Sequence, residues 1–131
     1  MTLEELQRSL PNGLHDSILR RLVVDYRAGS ALLDVEIDMQ ENRSAAPRYQ
    51  RAWIALSGLV FIAIEPPSQG DGSWPPSGLV VDAGPGSRSQ LPPTSKGVFV
   101  HWIYVMAWNS FIHVAATDAT IEWDNSLSTS T

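Results

Sequence analysis

The sequence contains no cysteine. A disulfide framework, a thiolate nucleophile and a thiolate zinc site are thereby excluded. Basic residues are scarce beside the acids. Lys plus Arg number 9 against 14 Asp plus Glu, a formal charge of −5. A phosphate backbone calls for clustered Lys and Arg, so no nucleic acid is expected as a partner. Long apolar runs are missing too. The longest, Val98 to Trp108, is interrupted by His101 and is too short for a bilayer. Met1-Thr2-Leu3-Glu4-Glu5-Leu6 carries acids where a secretory signal carries basic residues. The expectation is a cytoplasmic chain with no membrane contact.

Catalytic signatures are also lacking. There is no Gly-x-Ser-x-Gly elbow and no His-Glu-x-x-His. Gly84-Pro85-Gly86-Ser87 lacks the Gly-Lys-Ser/Thr ending of a phosphate loop. Gly70-Asp71-Gly72-Ser73 lacks the acid spacing of a calcium loop. No catalytic residue, metal or cofactor is therefore assigned. What is present suits a globular domain: 131 residues, 44% apolar and 18% charged. A chain of this mass buries about two thirds of its surface on folding, enough for a core without staples.

Thr2-Leu3-Glu4-Glu5 is a capping box, and Leu3, Leu6 and Leu10 fall on one helical face. Pro11-Asn12-Gly13 ends the run, which predicts a helix over 3–10. Residues 18–25 and 31–39 read as a hairpin turning at Ala28-Gly29. Its second strand alternates, with Leu33, Val35, Ile37 and Met39 on one face and Asp34, Glu36 and Asp38 on the other. That turn places Val24 opposite Leu33, Leu22 opposite Val35 and Arg21 opposite Glu36.

Residues 40–47 read as a loop. Tyr49 to Ser57 and Leu59 to Glu65 read as two strands or one bent strand, with a turn or bulge at Gly58. Residues 68–97 hold six of nine glycines and five of nine prolines, and read as one long irregular loop. A short edge strand over 78–83 is the one regular element expected in it. Phe99 to Trp108 and Phe111 to Thr117 read as a second hairpin turning at Asn109-Ser110, apolar on both faces and so central. Thr120 to Trp123 is a last strand before a frayed tail over 124–131. The sum is a single β-rich α+β domain over 1–131. It has one mostly antiparallel sheet of six to seven strands and a short N-terminal helix.

Two groups of residues could carry function. Asp34, Glu36 and Asp38 form an acidic row, better spaced for a basic protein surface than for one cation. A solvated sheet face is the plainer reading. Trp74, Trp102, Tyr104 and Trp108 could line a ligand cleft under the 68–97 loop, with His101 and Asp118 as its polar groups. The turn at Asn109-Ser110 would set His101 directly opposite Asp118. The competing reading of the aromatic stripe is packing under the helix, and a third is contact within a homo-oligomer. His15-Asp16-Ser17 holds an acid, a base and a hydroxyl, but neighbours in sequence do not face one another as a triad does.

Leu10-Pro11-Asn12-Gly13-Leu14-His15-Asp16-Ser17-Ile18, followed by an alternating hairpin ending near Asp38, resembles the start of small bacterial immunity-type proteins. In them a His-Asp-Ala/Ser element leads into an antiparallel sheet. Tyr49…Leu56-Ser57-Gly58-Leu59 and Trp108-Asn109-Ser110 are compatible with it. The resemblance implies an intracellular single-domain protein that neutralises a toxin. Together with the charge, it favours a non-enzymatic acidic binding protein whose partner is a basic toxin or nuclease. The alternative is a small-molecule binding protein or enzyme with its site under the 68–97 loop.

Overall fold

A computed structural model describes residues 1–42, 44–70, 74–87 and 96–124. It holds one short helix, α1 (Leu3–Arg8), and eight strands: β1 (Ser17–Asp25), β2 (Ser30–Asp38), β3 (Tyr49–Ser57), β4 (Phe61–Ile64), β5 (Leu79–Pro85), β6 (Phe99–Val105), β7 (Ser110–Ala116) and β8 (Asp118–Trp123). All pair antiparallel in one sheet, in the order β4-β7-β6-β5-β1-β2-β3-β8. The β-rich class with its N-terminal helix stands as the sequence implies. The strand number is eight instead of six to seven, because the 49–65 run divides into two strands and the 78–83 segment forms a full one.

Those bends give the sheet its shape. β3 runs into β4 through Gly58, and β7 runs into β8 through Thr117. β3 pairs with β8 while β4 pairs with β7, so the two ends of the strand order are the same two chain runs. The sheet therefore folds over as two four-stranded halves, β8-β3-β2-β1 and β5-β6-β7-β4. They join through β1–β5 on one side and through the two bends on the other. Strands that switch layers at a bend are a recognised way to close such a sandwich. Thr117 N–H donates to Ser57 O at 3.1 Å, and Val60 N–H to Ala115 O at 2.7 Å, carrying the ladder round the corner.

The core lies between the halves. Leu33, Val35, Ile37, Ile54 and Leu56 from one half meet Ile103, Val105, Ile112 and Val114 from the other, all buried. α1 closes one end with buried Leu3 and Leu6, and Leu10 and Leu14 follow them into the core. Its capping box forms as the sequence implies: Thr2 Oγ1 accepts from Glu5 N–H at 3.1 Å and Glu5 Oε1 from Thr2 N–H at 3.2 Å. The helix stops at Arg8, short of the expected residue 10, where Ser9 caps it.

Both hairpins turn through four residues instead of two. In the first, Asp25 pairs with Ser30, and Asp25 Oδ1 accepts from Arg27 and Ala28 N–H. Leu22 thus faces Leu33, Val24 faces Ala31 and Arg21 faces Asp34, with a bulge between Leu19 and Arg21. In the second, Val105 pairs with Ser110 across the turn Met106–Asn109, so His101 faces Val114 and not Asp118. The partners slip by two residues in the first hairpin and by four in the second, both even, so away from the β1 bulge the side chains keep their expected faces. The expected edge strand over 78–83 is β5, and it is central: β1 pairs with one edge of it and β6 with the other. Of the frayed tail expected over 124–131, Asp124 is ordered, its N–H donating to Arg51 O at 3.0 Å, and 125–131 lie outside the described residues, as do 71–73 and 88–95 of the long loop.

Candidate functional site

The acidic row sits on the outer face of β2, as its alternation implies, but arginines meet it. Asp34 is buried, at 2% exposure. Its Oδ1 and Oδ2 accept from Arg51 Nε at 3.0 Å and Nη2 at 2.9 Å, and Oδ2 also from Arg21 Nε at 3.1 Å. The Arg51 fork, with Arg21, holds the Asp34 carboxyl below its ordinary pKa against the opposing cost of burial. Asp34 in turn raises the Arg51 guanidinium, which lies 5.2 Å over the Trp53 ring. Glu36 stands 4.0 Å from Arg20. Asp38 Oδ1 accepts from the N–H groups of Gln40 and Arg48, closing the loop between β2 and β3. The three acids are thus tied into the sheet's own polar surface. The arginines come from β1 and β3, the strands on either side of β2.

The six residues assigned to one ligand cleft occupy three places. His101 is at 1% exposure inside the α1 end, where its Nε2 lies 2.6 Å from Gln7 Nε2. Burial pushes its pKa down to about 4. Asp118 pairs with the Met1 amine near α1, and this ion pair holds its carboxyl below the ordinary value. The His101–Asp118 pairing is thereby corrected: the four-residue turn removes it. Trp102 and Tyr104 lie half-buried on the outer face of β6. Trp74 and Trp108 form the third group, edge to face with ring centroids 4.8 Å apart.

That third group borders a cleft of about 960 Å³. Its apolar wall is Leu22 and Val24 of β1, Ile64 of β4 and Ile112 of β7, with the two indoles. Its rim carries Arg20, Arg21 and Glu36, and Pro75-Pro76 forms one bank. Trp108 is buried at 7% exposure, whereas Trp74 is 72% exposed. Among the described residues β1 pairs with β5 only from Ser17 to Leu19. From Arg20 to Asp25 that edge of β1 faces the cleft with no strand against it among the described residues. A cleft under the 68–97 region is present, then, but of the expected set it gathers only Trp74 and Trp108.

His15 and Asp16 also lie apart from these sites. His15 Nε2 stands 3.4 Å from Asp16 and its Nδ1 3.3 Å from Asp82 on the surface. Ser17 Oγ is buried away from both, with no hydrogen-bond partner among the described residues. Among the described residues no group of three or more metal-ligating side chains converges, and no helix is long and apolar enough to cross a membrane. Comparison with protein families, curated proteins and solved structures finds no match.

Proposed function

We propose that the protein is a non-enzymatic binding module that takes an extended segment of a partner protein in the cleft between β1 and Trp74–Gly78. The observation that carries this reading is the β1 edge that no described strand covers, beside an apolar wall. An unpaired edge offers backbone donors and acceptors to an incoming strand, and alternate side chains of that strand fall into pockets. Here the inward side chains would meet Trp108, Leu22 and Ile112, and the outward ones Arg20 and Arg21. Acidic or polar residues at outward positions match those arginines. The immunity-type resemblance points to the same class of role, capture of another protein. In this reading the acidic row does not supply the contact, since Asp34 and Asp38 are already bonded internally.

The test is selection of displayed extended peptides on the folded protein. Enriched peptides should alternate apolar and polar residues, and Trp74→Ala should weaken them at least tenfold without unfolding the chain. No enrichment, or binders indifferent to Trp74→Ala, would overturn the reading.

A further inference from the structure

A second recess lies on the outer face of the other half, away from the β1 edge. It is a shallow pocket of about 530 Å³ lined by Asp82, Trp102, Tyr104 and Phe111. The pairing of β5, β6 and β7 builds it. Asp82 faces Tyr104, Tyr104 faces Phe111, and Trp102 follows on the same face of β6. The three rings are not parallel. Trp102 and Phe111 are edge to face at 88° with centroids 5.8 Å apart, and Tyr104 is tilted 50° to Phe111 at 5.1 Å. Gly84, opposite Trp102, leaves its position open; a Cβ there would overlap the indole. The Tyr104 hydroxyl donates to Asn109 Oδ1 at 2.7 Å, which fixes that ring. Phe111 is stacked on His113, whose Nε2 lies 2.8 Å from Glu65.

The acid of the lining is Asp82. Its Oδ1 accepts from Ala83 N–H at 2.8 Å, its Oδ2 lies 3.3 Å from His15 Nδ1 at the edge of the recess, and its side chain is 40% exposed. Among the described residues no Lys or Arg lines the pocket. Ring faces carry negative potential and attract cations, most strongly at Trp. A primary ammonium is compact and strongly hydrated, so it loses much on leaving water for such a recess. A quaternary ammonium has diffuse charge and methyl groups that pack on rings.

We infer that Trp102, Tyr104, Phe111 and Asp82 form a binding site for a quaternary ammonium head group. The rings surround the methyl groups and Asp82 supplies the countercharge. The site is independent of the β1 cleft, and neither needs the other.

The probes are choline chloride, its neutral isostere 3,3-dimethylbutanol, and a peptide carrying one trimethyl-lysine, each titrated with amide and indole chemical shifts as readout. Choline should shift the Trp102 indole signal with millimolar or tighter affinity, and the neutral isostere should bind at least tenfold more weakly. Asp82→Asn should weaken choline several-fold with the fold intact, and Trp102→Leu should abolish the shifts. Choline stronger than the peptide assigns the head group to a free small molecule, and the reverse assigns it to a modified protein; both support the site. Equal binding of choline and its isostere, or no shift at Trp102 with any probe, would overturn it. Because the two recesses share no lining residue, loss of peptide binding in Trp74→Ala would leave these shifts unchanged.

Discussion

Gln7 of α1 and His101 of β6, 94 residues apart in sequence, meet side chain to side chain at 2.6 Å in the closed end of the sheet. Gln7 Oε1 accepts from Leu14 N–H at 3.1 Å, which turns the amide so that its NH2 faces the imidazole. His101 Nε2 must then accept, and the neutral ring is the form that fits. A proton on Nε2 would set donor against donor in a buried place. Burial is the larger reason that the pKa falls to about 4, and the Glu4 charge opposes it only in part.

The sign of the pH effect follows. The unfolded chain takes up a proton near pH 6.5 while the folded chain resists until about 4. Stability is therefore full above pH 6.5 and falls as the pH drops toward 4, by up to about 3 kcal/mol from this group. Urea unfolding at steps between pH 7.5 and 4.5 should show that slope. His101→Gln should flatten it; an unchanged slope would assign it to other groups.

Asp34 gives a prediction of opposite kind to its first reading as a partner contact. It is buried between two guanidiniums, so Asp34→Asn should cost about 1.5–3 kcal/mol by weakening its charge-assisted hydrogen bonds to Arg51 and Arg21. The depressed pKa means that the carboxylate's contribution is present above its unfolded pKa and fades as pH falls through the lower folded value. Asp34→Asn should thus lose stability at neutral pH and show a weaker acid limb below about pH 4. Thermal melts at pH 7 and pH 3 measure both. Glu36→Gln, at a looser 4.0 Å contact, should change the melting point little.

Local signals placed the elements well and their partners poorly, for a definite reason. The Thr2–Glu5 capping box and the alternation from Leu33 to Asp38 are written in adjacent residues, and both appear in the fold. Turn length is written less plainly. Ala28-Gly29 and Asn109-Ser110 look like two-residue turns, but Asp25 and Asn109 use side chain and backbone to make four-residue ones. Asn109 takes φ 47° and Gly29 φ 63° at the turn ends. The register differs by two residues in the first hairpin and by four in the second, both even, so faces survive and cross-strand partners do not. His101 lost Asp118 for that reason alone. The arginines on Asp34 come from both flanking strands, and only the strand order brings them together. β5 is expected over 78–83 but as a short edge strand, because Gly84 and Pro85 look like loop residues, yet Gly84 is what lets Trp102 lie across it.

The corner where β3 becomes β4 rests on Gly58. Its φ of 59° is a left-handed value, and a Cβ would overlap the side chain of Thr117 in the facing bend. Gly58→Ala should cost about 2 kcal/mol or more, combining backbone strain with that overlap. Gly29 has φ 63° but open space around it, so Gly29→Ala should cost only about 1 kcal/mol. Adding Thr117→Ala to Gly58→Ala should recover part of the loss, a coupling that a double-mutant cycle by denaturant titration measures. Full additivity would show that the overlap is relieved elsewhere.

Trp74 and Trp108 touch each other yet should behave oppositely when truncated. Trp108 is at 7% exposure and belongs to the core, so Trp108→Ala should leave a cavity and cost about 3–5 kcal/mol. Trp74 is 72% exposed and stands over it from the outside, so Trp74→Ala should cost less than about 1 kcal/mol. Both should erase the same spectroscopic feature. Two indoles at 4.8 Å and 88° couple their transitions, which gives a circular dichroism couplet that either substitution removes. A stable Trp74→Ala protein without the couplet places the Trp74 segment over the cleft in solution. A couplet that survives Trp74→Ala would have to come from another pair, and the cleft would then lack the bank on which peptide capture depends.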